Sequence, residues 1–270
     1  MATDRESRVA WFATLLVAWA LMCGPAGSTS PAMAAAATNG AALMARVRAP
    51  VLAYATDARV RLLSIGASQP RTVLDLRIRT KPFGSTLKAL IEVTNPPSRA
   101  GRLLLVSTVA GVEAHARFPG PQPTSSHGDS TSVGEWLSPC LAPEDLVDAH
   151  YAWSSHAVLR EEQFQGRLAA IVQSEPGPGT TSRYRSVRTW IDVERLVPLR
   201  AEKTVRADGS VTRFSYGAIR RRDDLWVPRE IDVVSPTSAC HVQLTVLQGT
   251  TRARLDDALF NETDFGGVRR

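Results

Sequence analysis

Residues 188–214 read RTWIDVERLVPLRAEKTVRADGSVTRF, and apolar and charged side chains alternate along most of this stretch. The short run ERLVP separates two alternating segments, and Asp208-Gly209 precedes a third. Asp-Gly between alternating segments is a strong signal for a tight hairpin turn. Alternation with a period of two buries one face of a strand and leaves the other in water, as in antiparallel sheets. The stretch therefore predicts consecutive antiparallel strands whose Arg and Glu side chains form an outer surface rather than an active site.

The same pattern extends to both sides of this stretch. Alternating segments at residues 72–80, 86–94, 225–234 and 240–248 predict further strands, and the largely apolar segments 101–106 and 166–174 predict two more. Residues 41–54 have helical spacing, and Pro50 leaves either one helix or a broken pair. A second helix is predicted from Pro143, because proline and two acidic residues favour a helix start. Residues 119–134, rich in Pro, Gly, Ser and Thr, predict a long loop.

Residues 1–34 have the features of a cleaved export signal. A charged start precedes the apolar run VAWFATLLVAWALM, which is shorter than the roughly 20 residues that a transmembrane helix requires. The sequence Ala32-Met33-Ala34 suits signal peptidase, which favours small residues one and three positions before the cut. Cys23 offers a lipid-modified terminus as the alternative, but Met22 precedes it where lipoprotein processing favours a small residue. We expect cleavage after Ala34 and a single domain over residues 35–270.

The charged residues and cysteines of the remaining chain indicate which partners and which covalent bonds to expect. The net charge is +6, but the basic residues are dispersed and runs such as RRRDD carry their own counter-charges. No nucleic-acid-binding motif accompanies this charge, so we expect no nucleic-acid partner. Cys140 and Cys240 form an even pair in an exported chain, which permits a disulfide; two free thiols are the alternative.

No arrangement of side chains in the sequence predicts catalysis, a metal or a cofactor. His150 and His156 are six positions apart, whereas helical metal-binding pairs are separated by three or four. Asp192 and Glu194 share a strand face, but the arginines around them favour charge pairing over acid–base chemistry. The sequence contains no nucleophile elbow, phosphate-binding loop or dinucleotide fingerprint. We therefore expect a protein that is not an enzyme.

Several segments together resemble the outer-membrane lipoprotein-sorting proteins, the LolA-like periplasmic carriers. The most specific is TWIDVERLVPLRAEKTVRADGSVTRFSYG, in which Trp-Ile-Asp, a turn, Pro-Leu, a charged strand and Asp-Gly follow in the family's order. LIEVTNPPSRAGRLLLV, the Glu144-Asp145-Leu146 ending of LSPCLAPEDLVD, LWVPREIDV and LDDALFNETDF also fit. The chain departs from the family pattern in AHARFPG, which has few aromatic residues, and in SPCLAP, which replaces a Gly-Ser-Asp-aromatic lead.

The resemblance implies an α+β fold: a strongly curved antiparallel sheet, or incomplete half-open β-barrel, whose concave face is covered by helices. It also implies an apolar cavity for acyl chains, because inward and outward positions alternate along the strands of a barrel. The alternation gives the candidate lining residues Leu74, Leu76, Ile78, Ile91, Val93, Leu103, Leu105, Ile191, Leu199, Phe214, Ile231, Val233, Leu244 and Val246. The alternative is that these side chains are simply the packed core of a sheet. Trp190 and Trp226 either border the opening or pack between strand and helix.

Three functions follow from the resemblance and the composition. The first is a periplasmic carrier that binds an acylated lipoprotein or lipid and passes it towards the outer membrane, with an inner-membrane transporter or an acceptor protein as a further partner. The second is a lipid- or lipoprotein-sensing interaction domain, since similar half-barrels serve in envelope signalling. The third is an enzyme acting on lipids, for which the sequence offers no catalytic pair.

Overall fold

The computed structural model describes residues 39–66, 69–108, 111–118, 137–223, 225–237 and 239–265. These residues form one α-helix, α1 (Gly40–Ala53), four short 3-10 helices and fourteen strands. The 3-10 helices are Pro143–Val147, Ala149–Ala152, Asp257–Phe260 and Glu262–Phe265. The strands are β1 (Thr56–Gly66), β2 (Gln69–Phe83), β3 (Thr86–Asn95), β4 (Leu103–Ser107), β5 (Glu113–Arg117), β6 (Ser155–Phe164), β7 (Arg167–Glu175), β8 (Tyr184–Asp192), β9 (Val197–Val205), β10 (Val211–Gly217), β11 (Arg220–Arg222), β12 (Leu225–Val227), β13 (Glu230–Ser235) and β14 (Cys240–Thr250).

Twelve of the strands form a single antiparallel sheet in the order β5-β4-β3-β2-β1-β14-β13-β10-β9-β8-β7-β6. Strands β5 and β6 are its two edges, so the sheet does not close on itself. The sheet is curved. Strands β11 and β12 form a separate hairpin. Register shifts occur in several strand pairs, including β1 with β14, β2 with β3 and β8 with β9. Each such bulge increases local twist and bends the strand. The predicted half-open barrel is confirmed.

The predicted turns and alternation produce this sheet. Asp208-Gly209 connects β9 to β10, and Gly209 has the positive φ of 72° that a tight turn requires. In β9 the residues Ala201, Lys203 and Val205 are buried on one face, while Arg200, Glu202 and Thr204 between them are partly exposed. We call the face that carries Ala201 the inner face, because the largest apolar cluster of the protein lies on it.

Helix α1 packs on the inner face near β6, β2 and β3. The side chain of Asn39 caps its start by accepting a hydrogen bond from the backbone N–H of Ala41 at 3.0 Å. Pro50 lies within the last turn, and the helix continues through it to Ala53 as one helix. Leu43, Met44 and Val47 form its buried stripe. No helix within the described ranges is long and apolar enough to cross a membrane.

The middle of the chain differs from the prediction. The helix predicted from Pro143 is two short 3-10 helices, interrupted at Asp148, which has a left-handed φ of 43°. The prediction was wrong because this segment has few apolar residues at helical spacing, and its conformation is fixed by polar contacts to the sheet. The loop predicted at residues 119–134 lies outside the described residues.

Candidate functional site

The inner face of the half-barrel brings together most of the predicted lining residues. Buried members of its cluster are Leu74, Leu76, Ile91, Val93, Phe214, Val233 and Leu244, and Ile78, Ile231 and Val246 pack against them partly buried. The strand register explains this arrangement. Leu76 pairs with Val93 and Phe214 pairs with Val233, so both pairs lie on the same face of neighbouring strands. The inner face is thus a continuous apolar surface from β3 to β10.

Ile191 lies on the same face under helix α1. It pairs with Ala170 of β7 and packs in one cluster with Leu43, Met44 and Val47 of the helix. Its side chain is fully buried. Ile191 therefore forms part of the contact between α1 and the sheet.

Leu103, Leu105 and Leu199 lie elsewhere, and their assignment to the inner face was wrong. Leu105 pairs with Leu90, and both Leu103 and Leu105 pack with Phe260 and Phe265 on the opposite, outer face. Leu104 takes the inner position, because the run of three leucines contains no alternation that distinguishes the faces. Leu199 lies at the register shift between Trp190 and Ile191 and packs with Trp190 on the outer face.

Residues 137–153, which we call the cover segment, occupy the inner face. Its apolar side chains Leu137, Leu141, Val147 and Trp153 are at most 9% exposed and belong to the same cluster as the predicted lining residues. The segment contains the Glu-Asp-Leu sequence on which the family resemblance partly rests. Its backbone is in short 3-10 turns rather than in the sheet. The apolar wall is therefore covered by a segment that side chains hold in place.

A buried ionic cluster fixes the cover segment to the sheet. The Lys203 ammonium lies 2.9 Å from Asp145 Oδ1 and 3.6 Å from Asp148 Oδ1. Asp145 Oδ2 accepts hydrogen bonds from the Tyr184 hydroxyl at 2.9 Å and from the backbone N–H of Ala142 at 2.8 Å. The ammonium also lies 4.2 Å from the centre of the Phe214 ring, a favourable cation–π distance. Lys203 thus links the cover segment to the apolar wall.

Burial and neighbouring charges shift the pKa values of the ionisable side chains in and beside this cluster. Burial lowers the pKa of Lys203, but the negative charges of Asp145 and Asp148 outweigh burial and raise it overall. Burial raises the pKa of Glu144, and the charge of Asp145 adds to this effect. Burial lowers the pKa of His150 well below its usual value, and the Lys203 charge acts in the same direction. Lys203 therefore stays charged, and His150 stays neutral, at neutral pH.

Further contacts hold the N-terminal part of the cover segment. The Glu144 carboxylate accepts hydrogen bonds from the Ser182 hydroxyl at 2.6 Å and the Arg183 backbone N–H at 2.7 Å. A disulfide joins Cys140 to Cys240 at the start of β14, with a Cα–Cα distance of 6.0 Å. Such a separation lies within the range that disulfides normally span. The bridge and the carboxylate fix the N-terminal part of the cover segment at one end of the sheet.

A small cavity of about 140 Å³ opens between α1, the cover segment and the sheet. Its lining includes Leu52 of α1, Leu87 of β3, and Val147 and Tyr151 of the cover segment. Ligand pockets usually enclose about 300–1,000 Å³, so this cavity is too small for an acyl chain as it stands. The wall around it continues into the surface beneath the cover segment. A larger apolar space on the inner face requires displacement of that segment.

The polar residues considered in the sequence have structural contacts. His150 Nε2 lies 3.3 Å from Thr189 Oγ1, and His156 Nδ1 lies 2.8 Å from Ser174 Oγ, on different elements. Asp192 forms ion pairs with Arg167 and Arg195 at 3.0 and 3.1 Å, which is charge pairing as expected.

The two tryptophans differ from both readings that the sequence left open. Trp190 lies on the outer face of the sheet and donates a hydrogen bond to Glu162 at 2.8 Å. Trp226 is 38% exposed on the β11–β12 hairpin, under the guanidinium of Arg195 at 5.0 Å. Neither side chain lines the cavity beside α1.

Sequence reasoning missed the lysine at the centre of the site. Lys203 lies in a strand that alternates as expected, and its position in the alternation places it inward with Ala201 and Val205. The charge of Lys203 at an inward position indicates a buried acidic partner, because a buried lysine requires a counter-charge. The acidic Glu144-Asp145 pair predicts a helix start, whereas Asp145 supplies the counter-charge of Lys203.

Comparison with known proteins identifies the fold. A family model described as "uncharacterized protein" matches residues 86–265. None of the curated proteins matches this sequence. A DUF1329 family protein from Desulfovibrio piger is similar in structure with a TM-score of 0.75 at 18% identity, over 84% of this chain and 97% of that one.

Two further solved structures are similar in fold. A putative outer membrane lipoprotein-sorting protein domain from Vibrio parahaemolyticus has a TM-score of 0.70 at 16% identity, over 84% of this chain and 97% of its own. A LolA superfamily protein from Nitrosomonas europaea has a TM-score of 0.65 at 15% identity, over 84% of this chain and all of its own. The chain belongs to the family whose model matches residues 86–265, and its fold is that of the LolA-like lipoprotein-sorting proteins.

Proposed function

We propose that this protein is a periplasmic carrier that binds the acyl chains of a lipoprotein or lipid against the inner face of its half-barrel and hands them on. The observation that carries the proposal is the continuous apolar inner wall, covered by a segment that ionic and hydrogen-bonding contacts hold in place. A sheet built only for stability has no need of a polar fixing point inside its core, since apolar packing serves stability as well or better.

Loading in this proposal exchanges the cover segment for the ligand. The apolar side chains of residues 137–153 leave the wall, and acyl chains take their place at a gain of about 0.8 kcal/mol for each buried CH₂ group. The ionic cluster keeps the wall covered when no ligand is bound, which protects an apolar surface from water and from aggregation. Release then occurs by transfer to an acceptor protein or membrane, because escape of acyl chains into water is costly.

The proposal includes export of the chain, cleavage after Ala34 and a folded domain over residues 35–270. It describes a binding protein rather than an enzyme, and its partners are an acylated lipoprotein or lipid and a donor or acceptor at the membranes. The sensor function is distinguished by its partner. A sensor binds a membrane protein tightly without moving lipid, whereas a carrier exchanges lipid between donor and acceptor membranes.

The test uses a pair of identical substitutions on opposite faces of neighbouring strands. Val93 of β3 lies on the inner face and is fully buried, while Val73 of β2 is 41% exposed. Val93→Glu is expected to abolish uptake of a fluorescent acylated lipopeptide, and Val73→Glu to leave it unchanged, with circular dichroism confirming both folds. Because Val93→Glu can unfold the chain, Leu52→Glu beside the cavity provides a partly exposed second variant. Equal uptake by folded inner-face and outer-face variants would refute the proposal.

A further inference from the structure

The last described residues of the chain pack on the outer face of the sheet, away from the cavity. Phe260 and Phe265 of the two C-terminal 3-10 helices are buried against Leu90 and Leu105. Lys81 donates a hydrogen bond to the backbone oxygen of Leu255 at 2.6 Å. The proposed carrier function assigns no role to this C-terminal contact.

Three side chains of types that can bind metal ions meet where this segment reaches the edge strand β5. Glu113 and His115 are two positions apart on β5 and therefore share a face, and Glu262 comes from the last 3-10 helix. One potential ligand atom from each residue lies within 4.8 Å of the other two. His115 is 5% exposed, so its ring is held by its surroundings. One imidazole and two carboxylates thus converge from segments far apart in the chain.

A fourth polar group lies beside these three. Ser107 of β4 pairs in register with both Glu113 and Lys88, so it shares their face of the sheet. Its side chain is fully buried, and its hydroxyl has no hydrogen-bond partner within the described residues. A buried hydroxyl without a partner costs free energy, which a ligand or a metal-bound water at this place would recover.

Lys88 is the group that competes with a metal ion here. Its ammonium lies 2.8 Å from Glu262 Oε1 and also lies over the Phe83 ring at 5.4 Å. A cation that binds Glu262 therefore meets the positive charge of Lys88. If a metal ion binds here, removal of the Lys88 charge should raise the affinity for the metal. If only the Lys88–Glu262 ion pair holds the C-terminal segment, the same change should loosen that segment.

We propose that Glu113, His115 and Glu262 form a binding site for a divalent transition metal such as Zn²⁺. Imidazole nitrogen and carboxylate oxygen are common Zn²⁺ ligands, and the mixture favours Zn²⁺ over Ca²⁺ or Mg²⁺, which prefer oxygen ligands throughout. The bound ion ties the C-terminal segment to edge strand β5. Within the described residues β5 is an edge of the sheet, and edge strands offer unpaired backbone groups to other chains unless they are covered.

Titration of tag-free protein, purified from the periplasm and treated with chelator, tests the site. Calorimetry with Zn²⁺ is expected to show one site per chain, and bound Zn²⁺ to raise the melting temperature. Glu113→Gln and Glu262→Gln should each weaken binding beyond the roughly 10- to 100-fold that loss of an outer-shell partner costs. Both are suitable if His115→Ala fails to fold, because Glu113 is exposed and Glu262 is partly exposed.

Two control variants separate this site from general binding. His241 is an exposed histidine paired with Asp232 at 2.7 Å, and His241→Ala should leave Zn²⁺ affinity unchanged. Lys88→Met should tighten Zn²⁺ binding. Absence of Zn²⁺ binding by the unmodified protein, or binding that His241→Ala removes and Glu113→Gln does not, would overturn the proposal.

Discussion

The Lys203 ammonium and the Asp145 carboxylate lie 2.9 Å apart, and each side chain is only 1% exposed. One residue belongs to a central strand and the other to the cover segment, so this contact joins the apolar wall to the segment that hides it. Burial of two charges is costly unless hydrogen bonds satisfy them, and the Tyr184 hydroxyl and the Ala142 N–H do so for Asp145. If the protein is a carrier, this contact must break when the cover segment leaves the apolar wall to admit a ligand.

Removal of the Lys203 charge should therefore be strongly destabilising. Lys203→Met leaves Asp145 and Asp148 without their cation, and loss of one partner of a buried pair typically costs about 3–5 kcal/mol in the free energy of unfolding. Urea denaturation followed by circular dichroism measures this. Arg213→Met, which removes an exposed partner of Glu202, should cost less than about 1 kcal/mol. A Lys203→Met cost as small as the control's would contradict the assigned role.

Neutralisation of the partners should recover part of that loss. In Lys203→Met with Asp145→Asn and Asp148→Asn, the two aspartate positions no longer carry an unpaired charge, so the triple variant should be more stable than Lys203→Met alone. The coupling of residues in contact is commonly about 0.5–3 kcal/mol. A double-mutant cycle by urea denaturation gives its value for Lys203 and Asp145. Additive effects would show that the two residues act independently.

The disulfide should hold the cover segment on the wall. Cys140 and Cys240 are separated by 100 residues, and Cys140→Ser with Cys240→Ser is expected to cost about 2–5 kcal/mol. The freed segment should leave the inner face more often, so lipopeptide uptake should become faster. Stopped-flow fluorescence with oxidised, reduced and double-serine protein tests this. Uptake at the same rate in all three would show that the segment need not move.

Stability should fall with acidification through His150. The folded chain holds the pKa of His150 well below the usual value, so below pH ~6.5 the unfolded chain binds more protons than the folded one. The free energy of unfolding then decreases as pH falls, by at most about 1.4 kcal/mol per pH unit for one group. Glu144 acts in the opposite sense, because its raised pKa favours the folded state as pH falls from the folded towards the unfolded value.

Comparison of variants isolates the histidine from the carboxyl groups. His150→Gln should flatten the decrease in the free energy of unfolding between pH 7 and 5, relative to the unmodified protein measured in parallel. Urea denaturation at pH intervals provides the measurement. An unaltered slope in His150→Gln would show that this imidazole does not control acid stability.

The position of helix α1 should depend on Gly40. A Cβ atom there would collide with the backbone oxygen of His156 in β6, so Gly40→Ala must push the helix away from the sheet. Overpacking of this kind costs about 1–3 kcal/mol. Ala45→Ser adds one atom at an exposed position of the same helix and should be nearly neutral. Equal stability of the two variants would show that α1 does not pack closely on β6.

The sheet was predictable from the sequence because alternation and turn residues act locally. Asp208-Gly209 and the alternation around it specify β9 and β10 without reference to the rest of the chain. The face of a strand was predictable only where alternation was strict, as at Leu74 and Leu76, and failed in the leucine run 103–105. At Leu199 a register shift moved the side chain to the other face, and nothing in the local sequence specifies such a shift.

The polar site could not be derived from local pattern. Lys203 and Asp145 are joined by the tertiary fold across a long stretch of chain, and neither has a sequence neighbour that indicates the other. The same holds for Glu113, His115 and Glu262, where only the pairing of two residues on β5 is local. The Cys140–Cys240 pair was recognisable as two cysteines in an exported chain, but its geometry depends on where β14 begins.

Native mass spectrometry tests the central claim most directly. The exported protein is purified from the periplasm without detergent, and its mass is recorded before and after lipid extraction. The carrier account predicts a co-purified acylated species at close to one per chain, which Val93→Glu loses and Val73→Glu retains. A ligand-free mass, with no uptake of added lipid or lipopeptide, would contradict the account and leave the inner face as the packed core of a protein-binding domain.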